Sequence, residues 1–196
     1  MAKERVIQFG EGGFLRGFVD YFLYKLNEKE VWEGKVVIVQ PIEKGMCELL
    51  SSQNCEYNLY LRGIENGETV NERTHIDVIS RCVNPYKEFD AYMELAANPD
   101  MRFIISNTTE AGIEYLGTEK LEDRPAKSYP AKLTQLLYKR YELGLPGFIL
   151  IPCELIDNNA GFLKEYILKY AQLWELPEGF TKWINEECDF CNSLVD

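Results

Sequence analysis

The sequence predicts an α/β fold built on a mostly parallel sheet with helices on both faces. Three observations carry that reading. An apolar run at residues 6–9 breaks at clustered glycines and resumes as a helical pattern. Further short apolar runs recur at residues 36–39, 101–106 and 148–151, with helix-period stretches between them. Continuous apolar runs suit strands covered on both faces, and strands that alternate with helices make parallel sheets.

The first element is Val6-Ile7-Gln8-Phe9-Gly10-Glu11-Gly12-Gly13-Phe14-Leu15-Arg16-Gly17. From Leu15 onward the apolar residues Leu15, Phe18, Val19, Phe22, Leu23 and Leu26 have the spacing of one buried helix face. Gly10 and Gly12 let the backbone turn sharply and a ligand come close. The N–H groups at the helix start, with the positive end of its dipole, suit a pyrophosphate. In position and context this is the dinucleotide fingerprint of a Rossmann-like fold, with Leu15 where a third glycine is expected. Phe9, Gly10, Glu11, Gly12, Gly13, Phe14, Leu15 and Arg16 are therefore candidate cofactor-binding residues. The alternative is a glycine-rich βα turn that binds nothing.

The chain has 196 residues, room for one well-buried domain, and 46% hydrophobic with 27% charged residues is the composition of a globular protein. A net charge of −11 speaks against a nucleic-acid partner. No apolar run approaches a membrane span and the start lacks a signal-peptide shape, so the expected compartment is the cytoplasm. Six scattered cysteines read as reduced thiols. Cys188-x-x-Cys191 lacks further ligands for a structural zinc and reads as two thiols late in an amphipathic helix.

Residues 36–39 form the second strand, followed by Gln40-Pro41-Ile42-Glu43. An acidic side chain at this strand end would accept from the ribose 2′-hydroxyl and repel a 2′-phosphate. Glu43 is the candidate, favouring NAD over NADP; a solvated loop carboxylate is the competing reading. Residues 57–83, with Asn66-Gly67 as a turn, read as an antiparallel β-hairpin excursion. It holds the lone histidine, His75, read as structural. The strand at 101–106 runs into Asn107, Thr108, Thr109 and Glu110, candidates for the nicotinamide ribose or second phosphate unless they only lead to a helix cap. Pro130 opens a helix with Leu133, Leu136, Leu137 and Tyr141 on its apolar face. The strand at 148–151 leads to Cys153-Glu154-Leu155-Ile156-Asp157-Asn158-Asn159, where Asp157 or Asn158 is the expected N-cap of a helix carrying Phe162, Leu163, Tyr166, Ile167, Tyr170 and Trp174 on one face. The last residues show neither cap nor stop signal and read as the interior of a longer chain.

The glycine-rich stretch 10–17, Thr109-Glu110-Ala111-Gly112, Ser128-Tyr129-Pro130-Ala131-Lys132-Leu133-Thr134, residues 153–159 and Ser193-Leu194-Val195-Asp196 resemble the long-chain polyol and sugar-acid dehydrogenases, the mannitol dehydrogenase family. That family's fingerprint, G-x-G-x-F-x-R-G, accounts for Leu15. The resemblance spans essentially the whole chain. It implies an NAD-binding Rossmann domain over residues 1–196 and a small sugar-acid substrate. It implies that Asn159 helps to polarise the substrate oxygen. It also implies a C-terminal helical domain, absent from this chain, that carries the catalytic lysine. A nucleotide-binding module without chemistry is the reading from another class, since a fold hosts many functions.

Overall fold

The computed structural model describes residues 3–109 and 111–194. Strands β1 (Glu4–Phe9), β2 (Lys35–Val39), β5 (Ile79–Val83), β6 (Phe103–Ser106), β7 (Ile149–Pro152) and β8 (Asp189–Phe190) form one sheet in the order β5-β2-β1-β6-β7-β8. Every neighbouring pair in it is parallel. The order reverses between β1 and β6, so the loops leaving these strands diverge and open a crevice at their carboxyl ends. Strands β3 (Tyr57–Glu65) and β4 (Glu68–Ile76) pair antiparallel as a separate ribbon.

Alternation along the strands splits the core in two. Ile7, Phe9, Val37, Ile104 and Leu150 pack with residues of α4 (Phe89–Glu94), α5 (Tyr129–Glu142), α6 (Asn159–Leu173) and α7 (Glu178–Glu186). Val6, Val36, Ile38 and Ile105 pack with Leu15 of α1 (Gly13–Gly17) and Leu50 of α3 (Cys47–Ser52). Helix α5 is buried on nearly every side, Lys132 and Arg140 included. Arg140 donates to the carbonyls of Pro146, Ala96, Asn98 and Met101, at the amino edge of the sheet.

Four expectations are corrected. Residues 79–83 belong to the parallel sheet as its edge strand, because the hairpin ends at Ile76 and β5 pairs with β2. Cys188 and Cys191 flank β8 instead of lying on a helix, which stops at Glu186. Phe162 of α6 is 40% exposed, while Leu163, Ile167 and Tyr170 face the core. In α2 (Val19–Glu28) the apolar positions divide: Val19 and Leu23 pack toward the core with Leu15 of α1, whereas Phe18, Phe22 and Leu26 are 39%, 49% and 39% exposed. Along that outer face Phe14 stacks on Phe18, and Phe18 meets Phe22 edge to face. The row at positions 14, 18, 22 and 26 is 36–49% exposed along its length, while the adjoining row of Leu15, Val19 and Leu23 meets the core.

What α2 buries fully is a carboxyl group, that of Asp20. Tyr57 donates to its Oδ2 at 3.3 Å, and the Gln8 amide lies 3.5 Å from the same oxygen while donating to Gly10. Asp20 Oδ1 and Gln8 Oε1 have no hydrogen-bond partner. Burial without a full set of donors disfavours the charge and pushes the Asp20 carboxyl from 3.8 up to about 7. The folded state therefore holds a proton that the unfolded chain releases between those two values. Stability falls as pH rises from about 4 to about 7 and is then flat, a total of about 4 kcal/mol at most. Asp20→Asn keeps an acceptor for Tyr57 and never ionises. It should melt higher than the parent at pH 8, and the gap should close toward pH 4; thermal melts across that range check this.

Candidate functional site

The crevice is built around the turn after β1. Gly10 has φ +123°, and a Cβ there would lie 2.7 Å from the Asn107 carbonyl oxygen. Only a residue without a side chain passes between the β2 and β6 strand ends in this conformation. Its N–H donates to Val39. Gly12 differs: its φ of −68° is ordinary, and a Cβ would meet nothing within 4 Å. Gly12 is the N-cap of α1, and neither a side-chain cap nor an acidic residue occupies that first turn. The first N–H groups of α1 thus face open space with the positive end of the helix dipole behind them. Phe18 interrupts the helix (φ −117°, ψ −69°), but its N–H still bonds to Phe14 and its carbonyl accepts from Phe22, so α1 and α2 act as one bent rod.

On one flank, Gln40 holds the loop after β2: its amide donates to Ile42 and Glu43 and accepts from Cys47 N–H. Glu11 reaches into the same loop and accepts from Met46 N–H at 3.0 Å. Gln40, Glu43, Lys44, Met46, Asn84 and Tyr86 line a cavity of about 600 Å³. Glu43 is exposed there, beside Lys44.

On the other flank, Glu154 is fully buried and accepts from the Ser106 hydroxyl and from both N–H and hydroxyl of Thr108. Asn107 donates to the Cys153 carbonyl. Thr109, exposed at φ +71°, lines a second cavity of about 240 Å³ with Pro41, Thr108, Lys127 and Tyr129. Glu110 lies outside the described residues.

Asn159 is 0% exposed. Its Nδ2 donates to the carbonyls of Pro152, Glu154 and Ser193, and its Oδ1 accepts from Ala160 and Ser193 N–H. The amide has no hydrogen left for a substrate oxygen. The arrangement is a latch that holds the chain after β8 against the loop after β7. Asn158 is the N-cap residue of α6, one of the two positions expected, but it sits in left-handed backbone at φ +54° and its side chain makes no capping hydrogen bond.

Residues 4–196 match the model of the mannitol dehydrogenase Rossmann domain. The chain belongs to the mannitol dehydrogenase family. It is 53% identical over 197 residues to altronate oxidoreductase of Phocaeicola vulgatus, covering 98% of this chain and 41% of that protein. It is 49% identical to altronate oxidoreductase of Bacillus subtilis, again covering 98% and 41%. The chain thus spans about two-fifths of the length of these curated relatives. Among solved structures, the Pseudomonas fluorescens mannitol 2-dehydrogenase ternary complex with NAD and D-mannitol superposes with a TM-score of 0.82 at 20% identity, over 100% of this chain and 42% of that one. A substrate-free D-sorbitol dehydrogenase gives 0.80 at 20% identity, over 100% and 43%. At that identity these two speak for the fold.

Within the family's glycine-rich segment, the structure sorts the sequence-derived candidates by where their side chains go. Phe9 is buried between Tyr92 and Tyr129, and Leu15 is buried under the turn, so neither side chain reaches the crevice. Arg16 turns away: its Nε donates to the Glu11 carbonyl and its guanidinium lies over the Tyr57 ring. Phe14 stacks on Phe18. Gly12, Gly13, Glu43 and Thr109 are left open to the crevice or its cavities. His75 lies apart on β4, paired with Glu56. Of the other residues here, Gln40 and Glu154 stood out from sequence by following strand ends, and Tyr86, three residues past β5, did not. Removing the Asn159 amide would orphan several buried backbone groups. Asn159→Ala should cost about 3 kcal/mol or more. Asn158→Gly, which relieves left-handed backbone, should leave stability nearly unchanged. Urea unfolding of both variants checks the contrast.

Proposed function

We propose that this chain is the NAD(H)-binding domain of an oxidoreductase that interconverts tagaturonate and altronate. The observation that carries the reading is the open, uncapped helix start at Gly12, set at the sheet's switch point in a family whose relatives at about half identity are altronate oxidoreductases. The first N–H groups of α1 bind the pyrophosphate. Glu43 accepts from the adenosine ribose, and the cavity beside it takes the adenosine half. Asn107, Thr108 and Thr109 border the nicotinamide half; Glu110, the fourth candidate for it, lies outside the described residues. The residues present fit the cofactor: the open space over Gly12 is where a side chain would stand in most helices, and the loops around it are already braced.

When bound, the nicotinamide supplies or accepts the hydride. This chain's part is to orient it: Gln40, Glu11 and Glu154 fix the bordering loops in advance, so little ordering remains at binding. We assign the group that transfers a proton to the sugar acid to a helical domain beyond residue 196. A positioned general acid contributes about 10²–10⁴-fold.

Two outcomes are expected. In calorimetry the chain binds NADH more tightly than NADPH, and Gly12→Val loses NADH affinity at a stability cost of only about 1 kcal/mol, that of a poorer N-cap; equal affinity in both proteins would refute the placement. The chain alone, supplied with NADH, consumes it no faster with tagaturonate, fructuronate or fructose than without them. Steady turnover with one of these would place the proton-transfer group inside residues 1–196.

A further inference from the structure

Lys132 is a fully buried cation at an unfavourable place. It lies in the first turn of α5, where the helix dipole opposes a positive charge, and none of its side chain reaches solvent. Its ammonium donates to the Lys127 carbonyl. Nζ also stands 5.2 Å from the centre of the Tyr86 ring, within cation–π range. Tyr86 in turn donates to the Pro41 carbonyl at 3.4 Å and lines the larger cavity with Glu43. Pro41 and Lys127 both line the smaller one. The ammonium therefore sits behind the wall that the two cavities share, joined to the loops after β2, after β5 and before α5.

We infer that Lys132 is a positioning residue for the dinucleotide: its charge clamps Tyr86 and the Lys127 carbonyl, and through them Pro41, so that the three loops bordering the adenosine half hold one arrangement. The inference rests on the NAD-binding reading above. A methionine of similar length would fill the same space without the costs of burying a charge, so packing alone does not account for a lysine here.

The groups around the ammonium are Glu119, whose charge favours the protonated form, Tyr86 with Glu43 beyond it, and Tyr92, whose hydroxyl donates to the Lys132 carbonyl. Burial outweighs Glu119 and brings the ammonium down from 10.5 to about 8. Above that value the clamp loses its charge.

The test measures NADH affinity by calorimetry between pH 7 and pH 9.5 for the 196-residue chain, Lys132→Met and Lys132→Arg, with hydrogen exchange of residues 41–46 and 84–88 followed in parallel. The parent should bind about tenfold more weakly at pH 9.5 than at pH 7. Lys132→Met should be weak throughout, with a flat profile and faster exchange in both loops. Lys132→Arg, which keeps its charge, should stay tight and flat. A Lys132→Met protein that binds as tightly as the parent, or a parent profile matched by Lys132→Arg, would overturn the inference. If the parent binds no NADH, the NAD reading fails separately. The exchange data then decide about the clamp: lower loop protection factors in Lys132→Met, or, should Lys132→Met not fold, protection factors that fall above pH 8 in the parent but not in Lys132→Arg, uphold it, and unchanged protection factors reject it.

Discussion

The crevice depends on one backbone crossing. Gly10 carries β1 out of the sheet at a positive φ, pressed against the Asn107 carbonyl, while its N–H continues the β2 ladder to Val39. On the opposite side Asn107 N–H donates to Phe9, and Cys153 N–H to Ser106. Each chain thus extends the parallel ladder by one bond before it leaves. The loops begin from fixed points, because the first backbone donor of each is already engaged.

Beyond those points the loops have no ladder, and long polar side chains take its place. Gln40 bonds backbone groups of its own loop, and Glu11, Glu154 and Asn159 each bond backbone groups of another. Buried side chains of this sort must be satisfied to be tolerable, and these four are. Gln8 and Asp20 are the exception: beneath the glycine turn, one oxygen of each stays without a partner. The strain of that pair falls under the turn and not on its open face.

The parallel sheet and the glycine turn were legible because strand runs and clustered glycines are local signals. Glycine at position 10 was readable as a turn residue, although the Asn107 carbonyl that demands it was not, being distant in sequence. The exposure of Phe18, Phe22 and Leu26 escaped a periodicity argument, which finds a stripe but not what covers it. Asn159 was misread for a similar cause. An asparagine after a strand end looks the same whether its amide meets a substrate or the carbonyls of Pro152, Glu154 and Ser193, and only the fold brings Ser193 there. Lys132 was part of a recognised motif, but nothing local announces that its ammonium lies behind two cavities.

At the amino edge of the sheet Arg140 closes the structure in another way. Its guanidinium, 1% exposed, meets four carbonyl groups, and no carboxylate stands among its hydrogen-bond partners in the described residues. A group that cannot shed its charge must be surrounded by acceptors or the helix carrying it cannot dock. Segments 96–101 and 146 therefore come into register with α5 together or not at all. The edge that sets the spacing of β6 and β7 is in this way insulated from the edge that meets ligand. Loops at the carboxyl end can change length and chemistry while the strands beneath them keep their places, which makes one scaffold reusable for different substrates.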